Sequence, residues 1–168
     1  MNYKKLYEKQ YGEGKLISPP QRQFRGLRRL LKKYDWDRYT VAEQLIESRE
    51  RLLDIGCGEG YLLRKLKDKF EELYGMDVSP SRLHEAEAKI KELYPSEISR
   101  FKFVEGNADD PLAIPDKYFD AITCIAVIEH VYDIFSLAKE MYRVLKPDGY
   151  VIAEVPNIAY LKHRLHFY

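Results

Sequence analysis

Leu53-Asp54-Ile55-Gly56-Cys57-Gly58-Glu59-Gly60 decides how this chain is read. Apolar residues run into an aspartate and then three glycines at alternate positions, and a stretch with helical apolar spacing follows. Such glycines let the backbone turn tightly and approach a ligand with no Cβ in the way. The following helix start offers unpaired N–H groups to a carboxylate or another anion. The plainer alternative is a tight strand-to-helix turn. Two residues separate this loop from a dinucleotide-binding one. The pattern G-x-G-x-x-G needs glycine where Tyr61 stands. Asp54 also occupies a normally apolar position, where a carboxylate suits a cationic amine better than a pyrophosphate.

Outward from this loop the chain alternates strand and helix. Residues 51–55 read as a short buried strand. A helix from Gly60 to about Phe70 turns Leu62, Leu63, Leu66 and Phe70 inward. Residues 72–77 form the next strand. Ser79 caps the following helix, with Pro80 at its first position and an apolar stripe of Leu83, Ala86, Ile90 and Leu93. Strands are expected at residues 101–105 and 119–125, then a helix over 135–145 using Leu137, Met141 and Val144. Lys146-Pro147-Asp148-Gly149 reads as a turn, residues 150–155 as a fifth strand, and Pro156 as its end. This alternation predicts an α/β fold, a parallel sheet with helices on both faces. Ligands in such sheets bind beyond the carboxyl ends of the strands.

Upstream the pattern is helical. Ser18, Pro19 and Gln21 mark a helix start, and Phe24, Leu27, Leu31 and Tyr34 share one face. Arg22, Arg25, Arg28, Arg29, Lys32 and Lys33 cover the other face. That face reads as solvated, with an anionic substrate or RNA as the alternative. A second helix is expected from Thr40, with Glu43 completing a capping box, to about Glu47. Residues 1–50 thus form an N-terminal helical extension and residues 51–168 the α/β domain.

The residues just past each strand carry the chemistry. Asp77 follows the glycine loop by roughly 20 residues, the spacing at which an acid reaches a ribose diol. Its alternative role is to hold N–H groups at a helix entry. Gly106-Asn107-Ala108-Asp109 follows the third strand, where a small residue between polar ones can admit an adenine edge. Glu129 and His130 follow the fourth. Either can serve as a general base, or both can orient their loop.

These motifs carry a resemblance. Residues 53–60 look like motif I of the class I S-adenosylmethionine-dependent methyltransferases. Gly75-Met76-Asp77-Val78-Ser79 resembles the acidic-loop motif of that family, and Gly106-Asn107-Ala108-Asp109 its adenine loop. Phe119-Asp120-Ala121-Ile122 and Leu145-Lys146-Pro147-Asp148-Gly149-Tyr150 resemble the later strand motifs. The likeness spans residues 51–157. It implies a Rossmann-like sheet of about five strands in the order 3-2-1-4-5, and S-adenosyl-L-methionine as cofactor. By it, Asp54 with Gly56, Cys57, Gly58 and Gly60 would hold the methionine part, Asp77 with Val78 the ribose, and Asn107, Ala108 and Asp109 the adenine. Ile128-Glu129-His130-Val131 and Val155-Pro156-Asn157 are similar to the ubiquinone-biosynthesis and methionine-biosynthesis W types, which implies a small-molecule acceptor. The small-RNA 3′-terminal ribose methyltransferases share the glutamate–histidine pair. They are expected to carry a further glutamate ligand where this chain has Ala126, which argues against a metal site and against that family. A nucleic-acid methyltransferase and a cofactor-binding module without activity are the remaining readings.

Composition bounds the rest. The 168 residues are 45% apolar and 33% charged with net charge +1, enough for one core and without a bias toward nucleic acid or anionic lipid. No run approaches the roughly 18 apolar residues of a membrane span, and no apolar signal segment follows Met1, so a cytoplasmic protein is expected. Cys57 and Cys124 should lie on neighbouring strands as free thiols. The family sheet has seven strands, whereas only residues 156–168 follow the fifth here. Ile158, Leu161 and Leu165 sit at helical spacing, so the tail is expected to be one helix. The domain is therefore expected to lack its last two strands. Its fifth strand would be an open edge able to pair with a second copy or with a missing part of a longer protein.

Overall fold

The computed structural model describes residues 37–156. The expected helix over residues 18–34, its basic face, and the tail helix lie outside the described residues. The first described helix, α1 (Arg38–Leu45), begins earlier than Thr40 because Asp37 is its cap. Asp37 Oδ2 accepts from the Thr40 N–H at 3.0 Å and from its hydroxyl at 2.8 Å. The threonine that looked like a cap instead donates to one, since an aspartate three residues ahead is at least as good a cap.

The sheet comprises β1 (Arg49–Ile55), β2 (Phe70–Asp77), β3 (Phe101–Glu105), β4 (Phe119–Ile125) and β5 (Leu145–Glu154), in the order β3-β2-β1-β4-β5. All four pairings are parallel. Between them run α2 (Tyr61–Lys65), α3 (Pro80–Leu93) and α4 (Ile134–Val144). The twofold alternation of strand side chains divides the core into two layers. Leu52 points to one side, where it packs with Ala42, Leu62, Leu63, Leu66, Leu83 and Ile90. Leu53 and Ile55 point to the other and meet Ile122, Leu137, Met141 and Val144. From Leu52 to Ile55 β1 is thus covered on both faces, which is why the successive residues Leu52 and Leu53 are both apolar.

Three boundaries differ from the periodicity. α2 ends at Lys65, and Phe70 opens β2 opposite Arg49. Phe70 sits four residues after Leu66, so a helix would also turn it inward, but the strand buries it in the same layer. The turn after the helix is closed by Lys69: its N–H donates to the Leu66 carbonyl, and its ammonium donates to the carbonyls of Glu43 and Ile46, both at 2.6 Å. Leu93, expected inward, is 55% exposed at the end of α3. β5 begins at Leu145 rather than Tyr150, because Lys146 to Gly149 form an excursion inside the strand: Phe119 faces Leu145, and Ala121 faces Tyr150. The caps of α3 and α4 are Ser79 and Asp133. Among the described residues β5 is an edge, with Val151 38% exposed. No described helix is long and apolar enough to cross a membrane.

Candidate active site

Above the carboxyl ends of β1, β2, β3 and β4 lies a cleft of about 620 Å³. Its floor is the glycine loop. The N–H groups of Gly56 and Cys57 both donate to the Met76 carbonyl, at 2.8 and 3.0 Å, so the chain leaves β1 by folding over the end of β2. Gly56 has φ +74°, and a Cβ there would come within 2.3 Å of Val127 Cγ2. Only glycine allows both the left-handed backbone and this approach of the β4 loop. Gly58 N–H donates to Asp77 Oδ2 at 2.9 Å, and Ser79 N–H donates to Oδ1 at 2.9 Å. Asp77 therefore fixes the loop and the entry to α3, and it also lines the cleft. A carboxylate accepts up to about four hydrogen bonds, so holding the loop and facing a diol are compatible roles.

Of the residues singled out from the sequence, Gly56, Cys57, Gly58, Asp77, Val78, Asn107, Ala108, Asp109 and His130 line this one cleft. Asp54, Gly60 and Glu129 do not. Asp54 lies buried beneath the floor, where it accepts the Thr123 hydroxyl at 2.7 Å from the facing position on β4. Burial pushes its carboxyl up to about 7; the Thr123 bond opposes this and the charge of Asp77 adds to it. Glu129 and His130 both stand exposed on the 3₁₀ turn Ile128–His130, and His130 is the one of the pair that borders the cleft. Asp109 links two loops: its N–H donates to Asn107 Oδ1 at 3.2 Å, and its own Oδ1 accepts from the Tyr132 N–H at 2.7 Å and the Asp133 N–H at 3.3 Å.

The cysteines are buried free thiols. Burial pushes the Cys57 thiol far up and that of Cys124 up to about 12, so neither is a nucleophile at neutral pH.

Part of the wall had no signal in the motifs. Asp37 and Tyr39 come from the start of α1, Tyr61 and Arg64 from α2, Arg82 from α3. Tyr39 meets Tyr61 edge-on with ring centroids 5.0 Å apart. Ala126, directly after β4, has φ +55°, a conformation that costs a non-glycine residue roughly 1–2 kcal/mol. It is held by its N–H bond to the Glu154 carbonyl at 2.9 Å. Strain of this kind clusters at functional sites, and Ala126 lines the cleft.

The family profile described as a methyltransferase domain matches residues 53–153. The chain is 31% identical over 139 residues to the demethylmenaquinone methyltransferase of Geobacillus sp. (strain WCH70), covering 79% of this chain and 58% of that protein. It is 35% identical over 107 residues to a ubiquinone biosynthesis O-methyltransferase of Alkalilimnicola ehrlichii, covering 64% and 42%. Among solved structures it is similar to the YcgJ protein of Bacillus subtilis, with TM-score 0.61 and 27% identity over 68% of this chain and 48% of that one. The chain spans about half the length of the curated relatives it matches.

Proposed function

The chain belongs to the methyltransferase domain family, whose cofactor is S-adenosylmethionine, and from that premise we propose that it methylates a small-molecule acceptor, a quinol-type ring. What supports the reading is a single cleft at the carboxyl ends of the strands that gathers the glycine loop, Asp77 and the Asn107 to Asp109 loop. The donor set fits the cofactor. A buried carboxylate at the end of β2 suits a ribose diol, a glycine floor admits close approach, and the Asn107 amide can meet an adenine edge. The acceptor class rests on the names of the relatives, several of which act on demethylmenaquinone or in ubiquinone biosynthesis.

When bound, the cofactor supplies an electrophilic methyl group on a sulfonium. The chain's task would then be positioning: the floor of Gly56, packed against Val127, and the walls around it would hold the cofactor and align the acceptor with it. Such pre-orientation is worth roughly 7–11 kcal/mol when reacting atoms are aligned. His130 borders the cleft and is the residue we assign to take a proton from an acceptor hydroxyl. Glu129 is exposed and lies off the cleft lining.

The test is label transfer from methyl-labelled S-adenosylmethionine to a short-tailed demethylquinol and, in parallel, to total RNA. Label in the quinol fraction is expected. Label in RNA would replace this reading with a nucleic-acid methyltransferase. Tight cofactor binding with label in neither, across an acceptor screen, would mark a binding module without activity.

A further inference from the structure

The methionine part of the cofactor carries a carboxylate, which in a site that excludes water needs a cationic partner. The cleft wall offers two arginines, Arg64 on α2 and Arg82 on α3. Arg82 already faces the Glu59 carboxylate, at 4.0 Å, and Glu59 also holds Lys89. Arg64 differs. Among the described residues no carboxylate lies within ion-pair distance of it, and its Nη1 donates to the Glu59 carbonyl at 2.5 Å. Its guanidinium carbon stands 5.8 Å from the centroid of the Tyr61 ring. A guanidinium has five N–H donors in a planar fork that matches a carboxylate, and the carbonyl takes one of them.

The anchoring gives the arrangement its sense. Glu59, which holds Arg64 through its carbonyl, directly follows Gly58, whose N–H is held by Asp77. Adjacent residues of one loop thus fix an anion on one side and a cation on the other. A ligand with a diol at one end and a carboxylate at the other meets a hydrogen-bond acceptor at the first and a cation at the second. We propose that Arg64 binds the α-carboxylate of the cofactor's methionine part, with the Tyr39–Tyr61 pair as the wall behind it. This role goes beyond the reading of the acceptor and rests only on the cofactor.

Two nucleosides separate the contact from the fold. S-adenosylhomocysteine carries the carboxylate; 5′-methylthioadenosine has the same adenosine and sulfur without the amino-acid part. Calorimetry on the full chain should show Arg64→Ala weakening S-adenosylhomocysteine about 10- to 100-fold, with the affinity for 5′-methylthioadenosine unchanged. Arg64→Lys should recover part of the loss. Equal loss for both nucleosides would mean that Arg64 merely shapes the loop, and would overturn the proposal. So would no loss for either, or a carboxylate-dependent loss in Arg82→Ala instead. Failure of the unsubstituted chain to bind either nucleoside would overturn the cofactor premise itself.

Discussion

Replacing Asp54 by Asn should stabilise the ligand-free protein at neutral and alkaline pH. Asn keeps a carbonyl oxygen for the Thr123 hydroxyl, which now donates at 2.7 Å, and removes the ionisable group. The carboxyl titrates near 3.8 in an unfolded chain and at about 7 in the fold, chiefly because it is buried. Between those values the folded protein keeps a proton that the unfolded chain has released. Stability contributed by Asp54 is therefore complete below about pH 4, falls as pH rises, and levels off above about pH 7. At about 1.4 kcal/mol per pH unit, the whole window amounts to as much as about 4 kcal/mol. That is a large share of the 5–15 kcal/mol or so that holds a typical domain together. Urea unfolding of both proteins at about pH 4, 6 and 8 isolates this group, because the other carboxylates are common to both. Asp54→Asn should match the parent at the lowest pH or fall slightly below it, and exceed it progressively above. A difference independent of pH, or one that favours Asp54 as pH rises, would refute the assignment of a carboxyl held protonated by burial.

Other substitutions address the cleft. Asp77→Ala should weaken S-adenosylhomocysteine binding by roughly 2–4 kcal/mol, since a charged acceptor for one or two hydroxyls is lost; unchanged affinity by calorimetry would remove Asp77 from the site. His130→Ala should keep cofactor affinity and lower turnover about 100-fold or more, whereas Glu129→Ala should leave turnover nearly intact. Equal losses in the two variants would show that the turn, and not the imidazole, is what matters. At the sheet edge we propose pairing of β5 with a second copy; light scattering should then find a dimer that Val151→Lys converts to monomer, and a monomeric parent would dismiss it.

The elements and motifs were legible where a local rule and the tertiary outcome coincide. Residues 51–55, 101–105 and 119–125 read as strands because both their faces are buried or alternate, and β3 and β4 were found at those bounds. The glycine loop was legible because its backbone demand is local, as the clash of a Gly56 Cβ with Val127 shows. Asp77 was legible in position, while its double duty was not: the two N–H groups it holds come from Gly58 and Ser79, and sequence spacing cannot say which donors will reach it. Phe70 misled because burial is the same whether a helix or a strand delivers it. Asp37, Tyr39, Arg64 and Arg82 were not legible at all. Asp37 and Tyr39 sit at the start of one helix and Arg64 and Arg82 on two others, each reads as ordinary amphipathic surface, and only the sheet order brings them to one cleft. Glu129 and His130 are neighbours in sequence and both exposed on one 3₁₀ turn, and of the two only His130 borders the cleft.

One carboxylate, that of Asp109, has a consequence for the order in which substrates arrive. It belongs to the stretch assigned to adenine, yet its Oδ1 grips the peptide of Tyr132 and Asp133 just past His130, and Asp133 in turn caps α4. The Asn107 to Asp109 loop and the segment just past His130 therefore share a latch. We propose that a nucleoside at the Asn107 to Asp109 end settles Asp109, and with it the segment carrying His130, before an acceptor is engaged. Steady-state kinetics should then be sequential and ordered: cofactor first, acceptor second, demethylated nucleoside last to leave. Asp109→Ala should loosen this into random addition, visible as a change in the product-inhibition pattern.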